Sequence, residues 1–363
     1  MSDPDEKPGS TRGAGSGFEE ACAVADAVLY EGYLLYPYRR SSPKNRVRWQ
    51  FGILAPRAWV EAQGPVAPGI SGSVESCRQQ TECLLRAKPD AVVHVRVRYL
   101  QMQHRSVERR EEDGRCTPVE SLDAAGAVHL SFDEAVPHQT DLVVPLAELL
   151  AGDREFTFGA PGGEEGEALP GGVGRLVRRR CPIEARTTLH AERVAGPGSL
   201  HRLRVHTENT GRSTPPGAER DEALQRALIA AHTFIGGEGL SFFSSADPPD
   251  EVAAEVLNCR NLHTFPVLAG PEGADGLVLS SPIILPDHPQ IAPESPGDLH
   301  DAAEIDEILT LRTLLLTEDE KREARATDAR AAQILDRVET MPSEVFSRLH
   351  GAIRSLAPST DPP

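Results

Sequence analysis

The chain is poor in the features that announce a chemistry. No two of its six cysteines are spaced as C-x-x-C, no glycine-rich stretch carries the Lys-Ser/Thr of a P-loop, and "FIGGEGL" supplies no G-x-G-x-x-G after a strand. "GISGSV" misses the second glycine of a G-x-S-x-G nucleophile elbow by one position. No apolar run approaches the roughly 18 residues that cross a bilayer as a helix. The opening "MSDPDEKPGSTRGAGSG" has neither the basic start nor the apolar core of a secretory signal. The expectation is a cytoplasmic protein whose Cys22, Cys77, Cys83, Cys116, Cys181 and Cys259 are thiols. A formal net charge of -17 argues against nucleic-acid binding, which rests on clustered cations displacing counterions. The local exception, Arg178-Arg179-Arg180, reads as a solvated strand end.

Aromatics are also scarce, at 5% of 363 residues, while glycine (31) and proline (30) are plentiful, a composition of short elements and many turns. Residues 1 to 20 are small, polar and charged and are expected to form a disordered tail. From 21 to 158 the pattern is that of a β-rich domain, with strands expected at "AVLYEGYLLYPY", "RVRWQFGIL", "AVVHVRVRYLQMQ", "AVHLSF", "TDLVVPL" and "EFTF". The cleanest places Val93, Val95, Val97 and Tyr99 on one face and His94, Arg96 and Arg98 on the other, as in a half-buried antiparallel strand.

"GAPGGEEGEALPGGVG", 159 to 174, reads as a linker or long loop and as the boundary to an α+β domain over 175 to 316. Two strands around Gly196-Pro197-Gly198 form an expected hairpin. "ERDEALQRALIAAHTFI" reads as a helix with Leu224, Leu228 and Ala231 or Ile235 on one face. "LSFFSS", "LHTFPVLAG" and "GLVLSSPIIL" return to strand. Helical periodicity follows from Asp301, and 317 to 357 is expected as a tail of short helices. The fold class is therefore α+β: β-rich, with sandwich-like antiparallel sheets and short C-terminal helices.

Three groups of residues are candidates for function. Cys259-x-x-x-His263 has helical spacing for two ligands of a transition metal such as zinc or nickel, although lone cysteines of this kind more often pack as small apolar residues. Carboxylates Asp287, Glu294, Asp298, Asp301, Glu304, Asp306 and Glu307 crowd one loop and helix start, where they complement the helix dipole or serve acid-base chemistry. The stretch 28 to 52 holds four of the five tyrosines and one of the two tryptophans. In strand geometry Tyr30, Tyr36 and Tyr38 share a face and Tyr33 opposes them, so part of the set with Arg39 and Trp49 leaves the core. Exposed Tyr, Trp and Arg together have the composition of a protein-protein hot spot.

At "LYEGYLLYPYR", "NRVRWQFGIL" and "SSPIILPDHPQIAPESPGDLHDAAEIDEILTLRTLLLTEDEKREARATD", the chain resembles a family of functionally uncharacterised proteins encoded in the gene clusters of nickel-iron uptake hydrogenases of aerobic, high-GC bacteria. The resemblance runs from about 26 to 355 and spares 159 to 174. It implies a non-enzymatic accessory or assembly role, with hydrogenase subunits or maturation factors as partners, and it brings no catalytic residues with it. The missing C-x-x-C pairs set the chain apart from hydrogenase subunits themselves, whose metal clusters need closely placed thiolates.

Overall fold

The computed structural model describes residues 15–26, 29, 51–64, 76–196 and 198–290, with four further positions, 321, 322, 325 and 336. The expected β-rich α+β class holds. Among the described residues eleven strands form one sheet in which every ladder is antiparallel, and the helices are few and short.

The sheet is organised around one strand, β1 (Arg78–Arg110), 33 residues long. It pairs first with β10 (Leu200–Asn209) and β11 (Ile229–Phe242), then with β11 and β5 (Phe132–Pro145), and finally with β8 (Gly174–Arg180) and β2 (Cys116–Val119). Outward from β10 lie β9 (Ile183–Arg193) and β6 (Arg154–Ala160); outward from β11 lie β13 (Leu277–Ser281) and β12 (Phe265–Leu268). β7 (Gly163–Ala168) pairs with β8. β3 (Ser121–Ala124) and β4 (Ala127–Leu130) make a separate hairpin.

β1 turns a corner at Lys88-Pro89-Asp90, all exposed, where the register to β11 shifts between Ala87 and Val92. Gly237 lies opposite this irregularity at φ 140°, and a Cβ there would overlap the Val92 carbonyl oxygen, so glycine is required. The corner brings Cys83 and Leu85 from the first half of β1 into one core with Val93, Val95 and Val97 from the second, packed on Leu189, Leu203 and Val205. The valine face read from the alternation is thus the inner face of a folded-over sheet, as in a sandwich.

The other face of β1 is covered too. Helix α1 (Gly15–Ala25) places Phe18, Ala21, Cys22 and Ala25, at i, i+3, i+4 and i+7, against Phe234, Leu277 and Leu279, beside Trp59 and Val60 of α2 (Arg57–Ala62). This corrects the expected tail over its last residues: 15–20 belong to α1, whose Phe18 is buried and supplies roughly 1.5–3 kcal/mol of apolar burial. It also corrects the reading of His94, Arg96 and Arg98 as a solvent face.

Two further expectations give way. The expected linker contains β7 and the 3-10 turn Pro170–Gly172, and the sheet runs through it without a boundary. Its glutamates stand opposite arginines: Arg179 Nε donates to Glu164 at 2.8 Å and Arg178 Nη1 to Glu167 at 3.0 Å, while Arg180 meets Glu165. The expected helix over 219 to 235 is helical only at α4 (Arg220–Leu224) and then becomes β11. Ile229, Thr233 and Ile235 are β-branched, and the interior of the sheet favours their extended form over the 3.6-residue pattern they share with leucine. Likewise Phe51-Gly52-Ile53 is a bend, with Leu54 alone making isolated bridges to Ser76 and Leu228.

Two more short helices complete the described fold: α3 (Leu146–Ala151), which links β5 to β6, and α5 (Ala253–Leu257). Positions 321, 322, 325 and 336 are helical. Among the described residues no helix is long and apolar enough to cross a membrane.

Candidate functional site

A dense set of perturbed charged groups lies where α1 crosses β1, β5 and β11. Even-numbered residues of β1 share a face, so His94, Arg96 and Arg98 form a row. Asp141 is the register partner of Arg96 on β5. Arg96 Nε donates to Asp141 Oδ1 at 2.7 Å, and His94 Nε2 donates to the same oxygen at 2.8 Å. From above, Glu19 of α1 accepts from Arg96 Nη1 at 3.1 Å, and Asp26, just past the end of α1, accepts from Arg98 Nη2 at 2.7 Å. Phe18 sits edge-on to His94 with centroids 4.4 Å apart, and the Arg96 guanidinium lies 5.3 Å from its ring centre. His232, opposite Arg98 on β11, is fully buried and donates from Nδ1 to the Ala230 carbonyl at 2.8 Å.

These environments fix the protonation states. Burial works against the Arg96 charge, but its hydrogen bonds to Asp141 and Glu19 outweigh that and hold the group above its usual range. Burial likewise raises Asp141, and the bonds from Arg96 and His94 more than reverse it, so the carboxyl titrates below its ordinary value. His232 is pushed down to about 3, by burial first and the Arg98 charge second, and is neutral at pH 7. Burial pushes the Cys22 thiol up despite the opposing pull of Arg98 and Arg96. A protonated thiol beside a fixed guanidinium is a poor nucleophile. The seam therefore pairs the covered cations of β1 with Asp141 of β5 and, at the exposed rim, with Glu19 and Asp26.

Along the flank of α1 opens an apolar cleft of about 360 Å3, lined by Ala21, Val24, Ala269, Pro271, Leu279 and Pro289 among others. None of the described residues lining it is titratable.

The residues singled out in the sequence are scattered. Tyr30, Tyr33, Tyr36, Tyr38, Arg39 and Trp49 lie outside the described residues, as do Glu294, Asp298, Asp301, Glu304, Asp306 and Glu307. Asp287 is a loop tie, accepting from Ser244 Oγ at 2.5 Å and from the Leu268 amide at 2.8 Å. Cys259 and His263 do not share a helical face, because α5 ends at Leu257 and His263 has φ 57°. The Cys259 thiol approaches the Glu255 carbonyl at 3.6 Å, and burial raises it against the pull of Arg202. Burial lowers His263. Among the described residues no group of three or more His, Cys, Asp or Glu side chains is gathered as a metal ion would require. Cys77 and Cys83 belong to different core clusters, and all six cysteines are free.

The sequence reading passed over Glu19, Asp26 and Asp141. A signal was present for the first two: "FEEACAVAD" carries an apolar stripe at 18, 21, 22 and 25 with acids beside it, whereas Asp141, at the end of the polar run His138-Gln139-Thr140, becomes visible only when β5 is set beside β1.

No protein-family model matches the chain, and no curated protein does. Among solved structures, the secretin InvG of the Salmonella SPI-1 type III secretion injectisome in its open gate state is 12% identical to it, with a TM-score of 0.12. The comparison covers 56% of each chain, so this chain spans little over half of that one, and likeness at that score carries no argument.

Proposed function

We propose that the chain is a non-enzymatic accessory or assembly protein of a nickel-iron hydrogenase, acting by binding a hydrogenase subunit or a maturation factor. The observation that carries the binding half of this reading is the apolar cleft beside α1. Its described lining offers shape and apolar surface but no group that could move a proton or attack a bond, which suits recognition better than turnover. The aromatic set of Tyr30, Tyr33, Tyr36, Tyr38, Arg39 and Trp49 follows α1 in the chain and belongs to the proposed partner surface. The hydrogenase half rests on the resemblance at 29–39, 45–54 and 280–328.

The test is genetic. In a host that carries the hydrogenase, deleting the gene for this chain lowers hydrogen uptake without affecting growth on organic substrates, and a plasmid copy restores it. Wild-type uptake in the deletion strain contradicts the assignment.

A further inference from the structure

Several edges of the sheet are open, and β12, β2, β5 and β7 each carry a guard. β12 is 4 residues long, contains Pro266 and is crossed at Leu268, whose carbonyl accepts from the His288 amide and whose amide donates to Asp287. β2 is as short and contains Pro118. β5 has Pro137 near its middle, flanked by Asp133 and Asp141. β7 is exposed throughout and carries Glu164, Glu165 and Glu167, so a second strand of the same charge is repelled. Short length, proline and charge are the usual protections of a strand edge. β6, Arg154-Glu155-Phe156-Thr157-Phe158-Gly159-Ala160, has no proline, and its two charges sit at one end. The direction of its free backbone groups follows from the neighbouring ladder. The Val194 amide donates to the Leu200 carbonyl and the Thr210 amide to the Glu184 carbonyl, so even-numbered residues of β9 bond to β10 and odd-numbered ones to β6. Ala185 stands opposite Phe158 and Thr187 opposite Phe156. Even-numbered residues of β6 are thus used by β9, while Glu155, Thr157 and Gly159, all exposed, turn N–H and C=O outward. Among the described residues no backbone group bonds to them from that side. Phe156 and Phe158 are half-buried, packed against the core at the lip of the sandwich.

We infer that β6 is the seat of a twofold dimer, in which β6 of a second copy adds antiparallel and the two sheets become one. The occupant is another copy because the strand is complementary to itself. With Thr157 on the twofold axis the outward-facing residues coincide: Thr157 opposes Thr157, and Glu155 opposes Gly159 on either side, each pair exchanging both backbone hydrogen bonds. Phe156 then opposes Phe158 of the second copy, twice, at the closer spacing of pairs that share no hydrogen bond, and aromatic pairs so placed stabilise a sheet. Glu155 faces a residue with no side chain, and the two Glu155 positions lie on the order of 13 Å apart along the strands. Each Glu155 keeps its own Arg186, which donates from Nη1 at 3.2 Å. Sliding the second copy by two residues either way shortens the ladder and leaves one phenylalanine pair in place of two. The contact is one strand deep, so the dimer is weak, with a Kd on the order of 10 μM.

The experiment is sedimentation velocity on the full-length protein from about 1 to 300 μM, a range that brackets a weak interface. The wild type is expected to pass from the sedimentation of one chain to that of two as concentration rises. The Thr157 side chain is exposed, so replacing it leaves the strand in place. Thr157→Lys and Thr157→Glu each set two like charges face to face on the axis and are expected to weaken dimerisation about tenfold or more. An equimolar mixture of the two variants is expected to recover it, because only the mixed pair opposes unlike charges, and that recovery singles out the register in which position 157 meets itself. A wild type that stays monomeric at every concentration, a dimer indifferent to Thr157→Lys, or a mixture that associates no better than its separate components would each overturn the inference.

Discussion

Arg96 and Asp141 are direct cross-strand partners on β1 and β5, joined by a 2.7 Å hydrogen bond from Nε to Oδ1 that His94 shares. The pair keeps a guanidinium charged on a covered sheet face. Its second partner, Glu19, comes from α1 and lies at the wet rim.

This difference in position predicts unequal effects. Asp141→Ala leaves Arg96 without its principal partner and is expected to cost about 2 kcal/mol, less than for a fully buried pair because Asp141 keeps 37% of its side chain exposed. Glu19→Ala is expected to cost well under 1 kcal/mol. Urea unfolding with an unchanged m-value measures both, and equal losses would contradict the arrangement.

Stability should fall on mild acidification. His232 titrates near 3 in the folded chain and near 6.5 when unfolded, so between those values the unfolded chain binds the extra proton and stability is lost as pH drops from 6.5. The full effect, reached only below the folded value, is on the order of 5 kcal/mol. Asp141 and Glu208, both held below their ordinary values, add losses at lower pH still, as each is protonated. His104, raised by its hydrogen bond to Asp133, acts in the opposite sense and contributes stability that disappears as pH rises through its folded value. Unfolding midpoints between pH 4 and 8 test this, and a His232→Gln variant that folds should show a flatter acid limb.

The distal end of the sheet depends on one nearly buried carboxylate. Glu108, with its side chain 5% exposed, accepts from Arg175 Nε at 2.7 Å and from Arg179 Nη2 at 3.4 Å, tying β1 to β8. Glu108→Ala is expected to cost about 1–3 kcal/mol and to raise amide exchange in β7 and β8 before the rest of the sheet. Glu164→Ala, on exposed β7, should cost only a few tenths of a kcal/mol.

Gly237→Ala tests the corner of β1. Its Cβ would overlap the Val92 carbonyl, and φ 140° is unfavourable to any L side chain. A loss above about 3 kcal/mol is expected. Gly64→Ala, at φ 95° with open space around it, should cost about 1 kcal/mol from the backbone alone.

Local alternation made much of the fold legible. The period-two run of valines at 93, 95 and 97 marked the central strand, and the hairpin of β9 and β10 around Gly196 followed from the turn residues. What failed was whatever depended on partners distant in sequence. Leu224, Leu228, Ala231 and Ile235 satisfy a helical stripe, yet Ile229–Phe242 is a strand because β1 and β13 flank it. The glutamates of 164–167 look like linker until Arg178, Arg179 and Arg180 are placed opposite them. The candidate site was hidden for the same reason: alternation told that Arg96 and Arg98 share a face, but not that α1 and Asp141 cover and neutralise it.

The central claim, that this chain works by binding a component of a nickel-iron hydrogenase, is tested most directly by affinity purification of the tagged full-length protein from hydrogenase-expressing cells, with mass spectrometry of what comes with it. A hydrogenase subunit or maturation factor is expected in near-stoichiometric amount, reduced by Tyr33→Ala. Recovery of the tagged chain alone, under conditions where the hydrogenase is abundant in the lysate, would contradict it.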